Sequence, residues 1–169
     1  TNNKHHLVTL EEALFHSLPA DNGLYMPSAM PALPGAFVQQ IGSFTFQEIA
    51  FTVAKTLLQG EVEETALKNI IDDAVNFPAP LVDIAANIYV LELFHGPSLA
   101  FKDFGARFMS RLMAYYLQRQ SMEIHILVAT SGDTGGAVAL GFLNVPNIKV
   151  TILFPSGKVS PVQQQQLTT

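Results

Sequence analysis

Cysteine is absent from all 169 residues. No disulfide can staple this fold and no thiolate can ligate a metal, which excludes a disulfide scaffold and a cysteine zinc site. A chain without cysteine also suits a reducing compartment, so a cytoplasmic location is expected. Long apolar runs are missing too: His, Gly or Pro interrupts each one well short of the ~20 residues that span a bilayer. Basic residues number 9 against 14 acidic ones, and a formal net charge of −5 with no basic cluster excludes a general nucleic-acid binder. No signal-peptide pattern follows Thr1. Repeats and biased segments are absent apart from the four glutamines Gln163 to Gln166. His5 and His6 have no further ligand residues nearby and read as surface residues, not as a metal site.

What is there is apolar. Hydrophobic residues make up 49% and charged ones 14%, with a mean hydropathy of +0.27. Such a surplus suits a buried parallel sheet, or a chain whose apolar surface something else covers. The length suffices for one domain with a sizeable core, or a domain with a small appendage.

Up to about Pro80 the pattern is helical. Thr9 with Glu12 and Thr45 with Glu48 have the capping-box form, a hydroxyl with Glu three residues on. The first predicts a short helix with Leu10, Ala13 and Leu14 on its inner side. The second predicts a helix through Ile49, Val53 and Leu57, closed by Gly60. Glu61 to Ala74 reads as a third amphipathic helix, with Glu63 and Glu64 early, where the macrodipole favours acids. Met30 to Gly35 reads as loop, and Phe77-Pro78-Ala79-Pro80 stops helical structure.

After Pro80 strands and helices alternate. The segment from Ile88 to Leu93 reads as a strand, Phe101 to Gln120 as a helix, and Glu123 to Ala129 as an inner strand buried on both faces. Thr134 to Leu143 reads as helix, Ile148 to Phe154 as a second inner strand, and Ser160-Pro161 opens a last helix. Phe101, Phe104, Phe108, Leu112 and Tyr115 form the expected buried stripe of the 101–120 helix, with Arg107, Arg111 and Arg119 on another side. Strand, helix, strand, helix, strand predicts parallel strands with right-handed crossovers, an α/β fold. The expected division is a helical region over 1–80 and an α/β region over 81–169.

Two stretches carry chemistry. The first is ELFHGPSLAFKDFGAR, from Glu92 to Arg107, with Lys102 in the first turn of its helix. Phe101 and Phe104 flank the lysine, and the residues three and four on, Gly105 and Ala106, are small. A helix N-terminus and partial burial both disfavour an ammonium, and a neutral amine can form a Schiff base with an aldehyde. A lysine whose stem merely covers the two aromatic rings accounts for the same features.

The second stretch is Thr130 to Gly136, TSGDTGG, between a strand and a helix. Open α/β sheets bind ligands at that place, and glycines, hydroxyls and free helix amides there suit an anion. Gly136 and Ala137 stand where a Walker loop needs Lys and a hydroxyl, which argues against an ATPase. An ordinary turn capped by Ser131 and Thr134 fits equally well.

The wording of these stretches resembles one family. HGPSLAFKDFG is similar to HGPTLAFKDFG, the cofactor-lysine segment of the pyridoxal-phosphate-dependent threonine synthases, with Ser98 in place of Thr. ATSGDTGGAVA resembles their ATSGDTG-A-A loop, FPSGKVSPVQ their P-GK-SP-Q segment, and DNGLYMP, with Asn22, their DGGLY-P phrase. The resemblance runs from about Leu7 to Thr169 and covers only the first part of such an enzyme. It implies the fold-type II, tryptophan synthase β-like architecture, truncated here to an N-terminal fragment. It further implies that Lys102 carries pyridoxal 5'-phosphate (PLP) and that Asp133 faces the 3-hydroxyl side of its ring. Ser131, Gly132 and Thr134 would cradle the substrate carboxylate. Lys158 could meet a phosphate, although a solvated loop lysine accounts for it on chemistry alone.

The implied substrate is O-phospho-L-homoserine, converted with water to L-threonine and phosphate, with Lys102 moving protons at the α and β carbons. No metal is implied. Neither a GNFG-like loop for the cofactor phosphate nor the partner of the pyridine nitrogen has a counterpart among these residues. The fragment by itself is therefore expected to be inactive, its partner being the absent C-terminal half of the same chain. A threonine-synthase-like phospho-lyase, or a non-catalytic module retaining the motif, are the alternatives.

Overall fold

A computed structural model describes residues 3, 5–120 and 122–168. The chain divides into two compact units, Thr1–Asp73 and Ala74–Thr169.

The first unit is helical. Helix α1 spans Leu10–His16 and starts where Thr9 accepts a hydrogen bond from the Glu12 amide. A short helix α2, Gly35–Gln39, and a 3-10 turn, Ile41–Ser43, follow in a stretch that carries no clear sequence signal. There Phe37 stacks on Phe44 with centroids 5.1 Å apart. Helix α3, Phe46–Leu58, opens on the full capping box of Thr45 and Glu48. It ends on Gln59 in the left-handed region, followed by Gly60 at φ 86°. Helix α4, Glu64–Ala74, starts three residues later than its apolar pattern suggests. The Glu63 carboxylate accepts from the Thr65 and Ala66 amides, both at 2.9 Å, and so acts as the cap. Val62, Leu67, Ile70 and Ile71 are buried.

The second unit holds the strands. Strand β1, Leu81–Ala85, pairs antiparallel with β2, Ile88–Leu91. The expectation that this later segment joins the parallel sheet is therefore corrected. Ala85 pairs with Ile88 across two residues, and Asn87 at φ 62° supplies the positive φ that so short a hairpin loop needs. Strands β3, Ile124–Ala129, and β4, Ile148–Leu153, form a separate parallel pair in the register Ile124↔Ile148 to Ala129↔Leu153. Here too the sequence reading is corrected: burial alternates along both strands, so each has one open face, with Leu127 and Leu153 exposed.

Helix α5, Lys102–Leu117, packs against α6, Asp133–Phe142. A Cβ on Gly141 would lie 3.0 Å from the Ala106 Cβ and 3.1 Å from its carbonyl carbon, so the two backbones approach closely there. This contact sets which face of α5 is buried. Ala106, Ser110, Met113 and Leu117 lie inside with Leu112. Of the other expected aromatics, Phe104, Phe108 and Tyr115 are half-buried and Phe101 is exposed. Arg107 is buried, its Nε donating to the Ala74 carbonyl at 3.0 Å and Nη2 to Asn76 Oδ1 at 3.2 Å. Helix α7, Pro161–Thr168, closes the described chain against α6.

Candidate functional site

Lys102 is the first residue of α5, and what precedes it is a tightly held turn. The Asp103 carboxylate is buried and accepts from both the Ser98 amide (2.9 Å) and the Ser98 hydroxyl (2.6 Å). Leu99, inside that turn, sits at φ 58°, an unfavourable conformation for a leucine that the flanking bonds maintain. The register of the lysine is thus fixed from below.

From there the Lys102 side chain reaches the start of α6. Its Nζ donates to Asp133 Oδ2 at 3.0 Å across 31 residues of sequence, and lies 4.5 Å from the Phe101 ring centroid. The lysine is 30% exposed and the aspartate 55%. The Lys102 hydrogen bond, helped by the aspartate's own backbone amide, holds the Asp133 carboxyl below the usual carboxylate range, against slight desolvation. Beside the pair opens an apolar cleft of about 490 Å³, walled by Leu93, Phe101, Phe104, Met109 and Val138, with Thr134 and Gly105 in its lining. A Cβ added at Gly105 would touch nothing within 4 Å, so the space next to Lys102 is open.

The turn before α6 is organised by Thr130, which the sequence reading passed over. Its Oγ1 accepts from the Gly132 and Gly135 amides (both 3.2 Å) and donates to the Gly132 carbonyl (3.1 Å). A threonine two residues before glycine at a strand end is the pattern of such a side-chain turn. Of the residues singled out from sequence, the fold brings Lys102, Asp133 and Thr134 together at the cleft. Ser131 and Gly132 stand on the same turn, Gly132 as the cap of α6, but do not line the cleft. Lys158 is exposed on the turn after β4, where its amide donates to the Pro155 carbonyl. Because β3 and β4 are parallel, both turns leave the same edge of the sheet. Among the described residues no group of three or more His, Asp or Glu is placed to hold a metal ion, and no helix is long and apolar enough to cross a membrane.

Residues 1–75 match the family model described as the threonine synthase N terminus. Over 162 residues the chain is 43% identical to the threonine synthase of Haemophilus influenzae, covering 96% of this chain and 37% of that enzyme. The chain belongs to the threonine synthase family. The Escherichia coli threonine synthase is 36% identical over the same coverage of both chains. A PLP-bound threonine synthase from Brucella melitensis superposes with a TM-score of 0.90 at 38% identity, over 96% of this chain and 36% of that one. The yeast threonine synthase superposes with a TM-score of 0.89 at 33% identity, over 98% of this chain and 36% of that one. The fold is thus the N-terminal portion of the fold-type II architecture, and the chain spans 37% of the length of these bacterial threonine synthases.

Proposed function

We propose that this chain is the lysine-bearing portion of a PLP-dependent threonine synthase that converts O-phospho-L-homoserine and water to L-threonine and phosphate. The observation that carries the reading is the 3.0 Å approach of Lys102 Nζ to Asp133, which joins the two motif segments at one apolar cleft. The groups present fit one side of the cofactor: an amine for its aldehyde, a carboxylate for a polar ring substituent, apolar walls and open space at Gly105. When bound, PLP supplies the electron sink for charge developing on the substrate carbons.

Lys102 would hold the cofactor and move protons at the α and β carbons of the substrate. Asp133 orients the Lys102 amine and would lie on the 3-hydroxyl side of a bound ring. Ser131 and Thr134 hold the substrate carboxylate with their hydroxyls and free amides at the start of α6, and Gly132, whose amide is held by Thr130 Oγ1, leaves the space clear for it. Lys158, on the neighbouring turn, is the cation for the substrate phosphate. These roles fall in residues 81–169, with 1–80 as a helical region. The protein is cytoplasmic, and its partner is the remaining portion of a threonine synthase, not nucleic acid or membrane.

Borohydride reduction of a PLP-loaded enzyme carrying this chain tests the reading. Mass-spectrometric mapping should place the label on Lys102, and Lys102→Ala should abolish both the label and the visible absorbance of bound cofactor. A label on Lys55, Lys68, Lys149, Lys158, or Lys4, which lies outside the described residues, would overturn it.

A further inference from the structure

We infer that Thr130 is a positioning residue for Lys102: its side chain clasps the turn that holds Asp133 within reach of the lysine amine. The consequence for catalysis rests on the cofactor role proposed for Lys102, but the coupling itself is read without cofactor.

Thr130 is anchored to the sheet before it acts on the turn. It follows the last residue of β3, and its amide donates to the Leu153 carbonyl of β4 at 2.9 Å. Both branches of its side chain are held as well. A Cβ on Gly135 would collide with Thr130 Cγ2, so the methyl packs directly over that buried glycine. The hydroxyl accepts from the Gly132 and Gly135 amides at 3.2 Å and donates to the Gly132 carbonyl at 3.1 Å. A β-branched side chain fixed at both branches keeps one rotamer.

Those three bonds land on either side of Asp133 and Thr134, the residues of the turn that meet Lys102 and its cleft. Gly132 precedes Asp133 as the cap of α6, and Gly135 follows Thr134. The backbone carrying both side chains is therefore pinned at its two ends. Asp133 passes that placement on. Its carboxylate is tied to its own amide as well as to Lys102 Nζ, so the 3.0 Å bond to the lysine follows the position of that amide. An ion pair this exposed gains little from its charges alone and persists where the backbone brings both ends into place. Asp103 holds the lysine's end of the pair through Ser98, and Thr130 holds the aspartate's end.

A hydroxyl that only closes the turn at the start of α6 is the competing account. Thr130→Val and Thr130→Ser separate the two. Valine keeps the shape and the methyl contact but loses all three side-chain bonds. Serine keeps the hydroxyl and loses only the methyl.

The experiment is competitive acetylation of a cofactor-free threonine synthase that carries this segment. Limiting acetic anhydride is used at one pH, and the acetyl groups are mapped by mass spectrometry. Lys68, on α4 in the first unit, is the internal reference. Asp133→Asn should raise the Lys102-to-Lys68 labelling ratio about tenfold, the loss of a bond to a charged group. Thr130→Val should raise it at least about threefold, and Thr130→Ser should stay within about twofold of wild type. Added to Asp133→Asn, Thr130→Val should change nothing further, because both act through one bond. A folded Thr130→Val with the wild-type ratio, its loss confined to the unfolding midpoint, overturns the inference. So does a further rise when Thr130→Val joins Asp133→Asn. Thr130→Ser labelled as fast as Asp133→Asn also overturns it, and that measurement stands even if Thr130→Val fails to fold. An Asp133→Asn enzyme with the wild-type ratio overturns the coupling of Asp133 to Lys102, and this inference with it. A borohydride label on another lysine removes the cofactor role alone and leaves the acetylation result to decide the coupling.

Discussion

Asp103 fills the space that a side chain on Gly96 would need: a Cβ built on Gly96 collides with Asp103 Oδ2 and comes within 2.8 Å of its Cβ. The same carboxylate carries both hydrogen bonds of Ser98. Glycine at 96, serine at 98 and aspartate at 103 are thus one unit that sets where α5, and with it Lys102, begins. Asp103→Ala would leave a buried amide and hydroxyl unpaired, a loss of about 2–6 kcal/mol at ~1–3 for each group. Gly96→Ala would push the carboxylate aside and should cost about 1–3 kcal/mol. Because both act through one contact, the double variant should be less destabilised than the sum. Urea unfolding of the three variants checks this, and strict additivity would argue against the shared unit.

Much of this was legible in the sequence, and the misses have physical causes. Both hydroxyl caps and the order of helices in the second unit follow local rules that act within four residues. The pairing partner of Ile88–Leu91 does not: β1 has no strong alternation of its own, and the hairpin turns on Asn87 without a glycine. Arg107 reads as a solvent-side residue because charges seldom go inside. It is buried because the Ala74 carbonyl and Asn76 accept its protons, an arrangement only the folded chain reveals. At the site, Lys102 and the 130–136 turn stood out by wording and position. Their meeting through Asp133, and the supporting bonds of Thr130 and Asp103, depend on long-range or side-chain geometry that spacing does not encode.

The capping box of α3 should make the first unit sensitive to acid. The Thr45 amide (2.7 Å) and hydroxyl (2.8 Å) both donate to Glu48 Oε2. Those bonds, the amide first, hold the Glu48 carboxyl below its ordinary value, with a smaller contribution from Lys68 and slight opposition from burial. A group depressed in the folded state stabilises it above its unfolded pKa, and that stabilisation is lost as pH falls through the folded value. Hydrogen-exchange protection at the start of α3 should therefore decline on acidification below the usual glutamate range. In Glu48→Gln that step should vanish. A wild-type profile as flat as the variant's would remove the capping box from the account.

Substitution of the turn hydroxyls should separate substrate from cofactor. In a threonine synthase that carries this segment, Ser131→Ala or Thr134→Ala removes a donor to the proposed carboxylate. A hydrogen bond to a charged group is worth about 1.5–3 kcal/mol, so substrate affinity should fall roughly ten- to hundredfold while PLP affinity holds. Thr134 lines the cleft and Ser131 does not, so any effect on the cofactor should be confined to Thr134→Ala. Unchanged substrate affinity with lost PLP binding, read by equilibrium titration of each, would reverse the assigned roles.

The 169 residues alone should fold, yet bind PLP only weakly and release no phosphate from O-phospho-L-homoserine. The caps, strands and crossover helices agree with one another, which favours folding. Holding the cofactor's dianionic phosphate is a separate requirement, usually met by several free backbone amides at a glycine-rich turn. The one such turn among the described residues cannot serve twice. The Gly132 and Gly135 amides are both committed to Thr130 Oγ1, and the remaining donors are those assigned to the proposed carboxylate. Lys102 would then meet PLP as an accessible amine beside an apolar wall, with no anchor for the far end of the ligand. Titration should show a visible band that rises without saturating over the range in which holoenzymes are fully loaded, and Lys102→Ala should reduce it. Phosphate release above the blank by the purified chain, lost in Lys102→Ala, would show that these residues hold the whole cofactor and that the proposed need for a second turn is wrong.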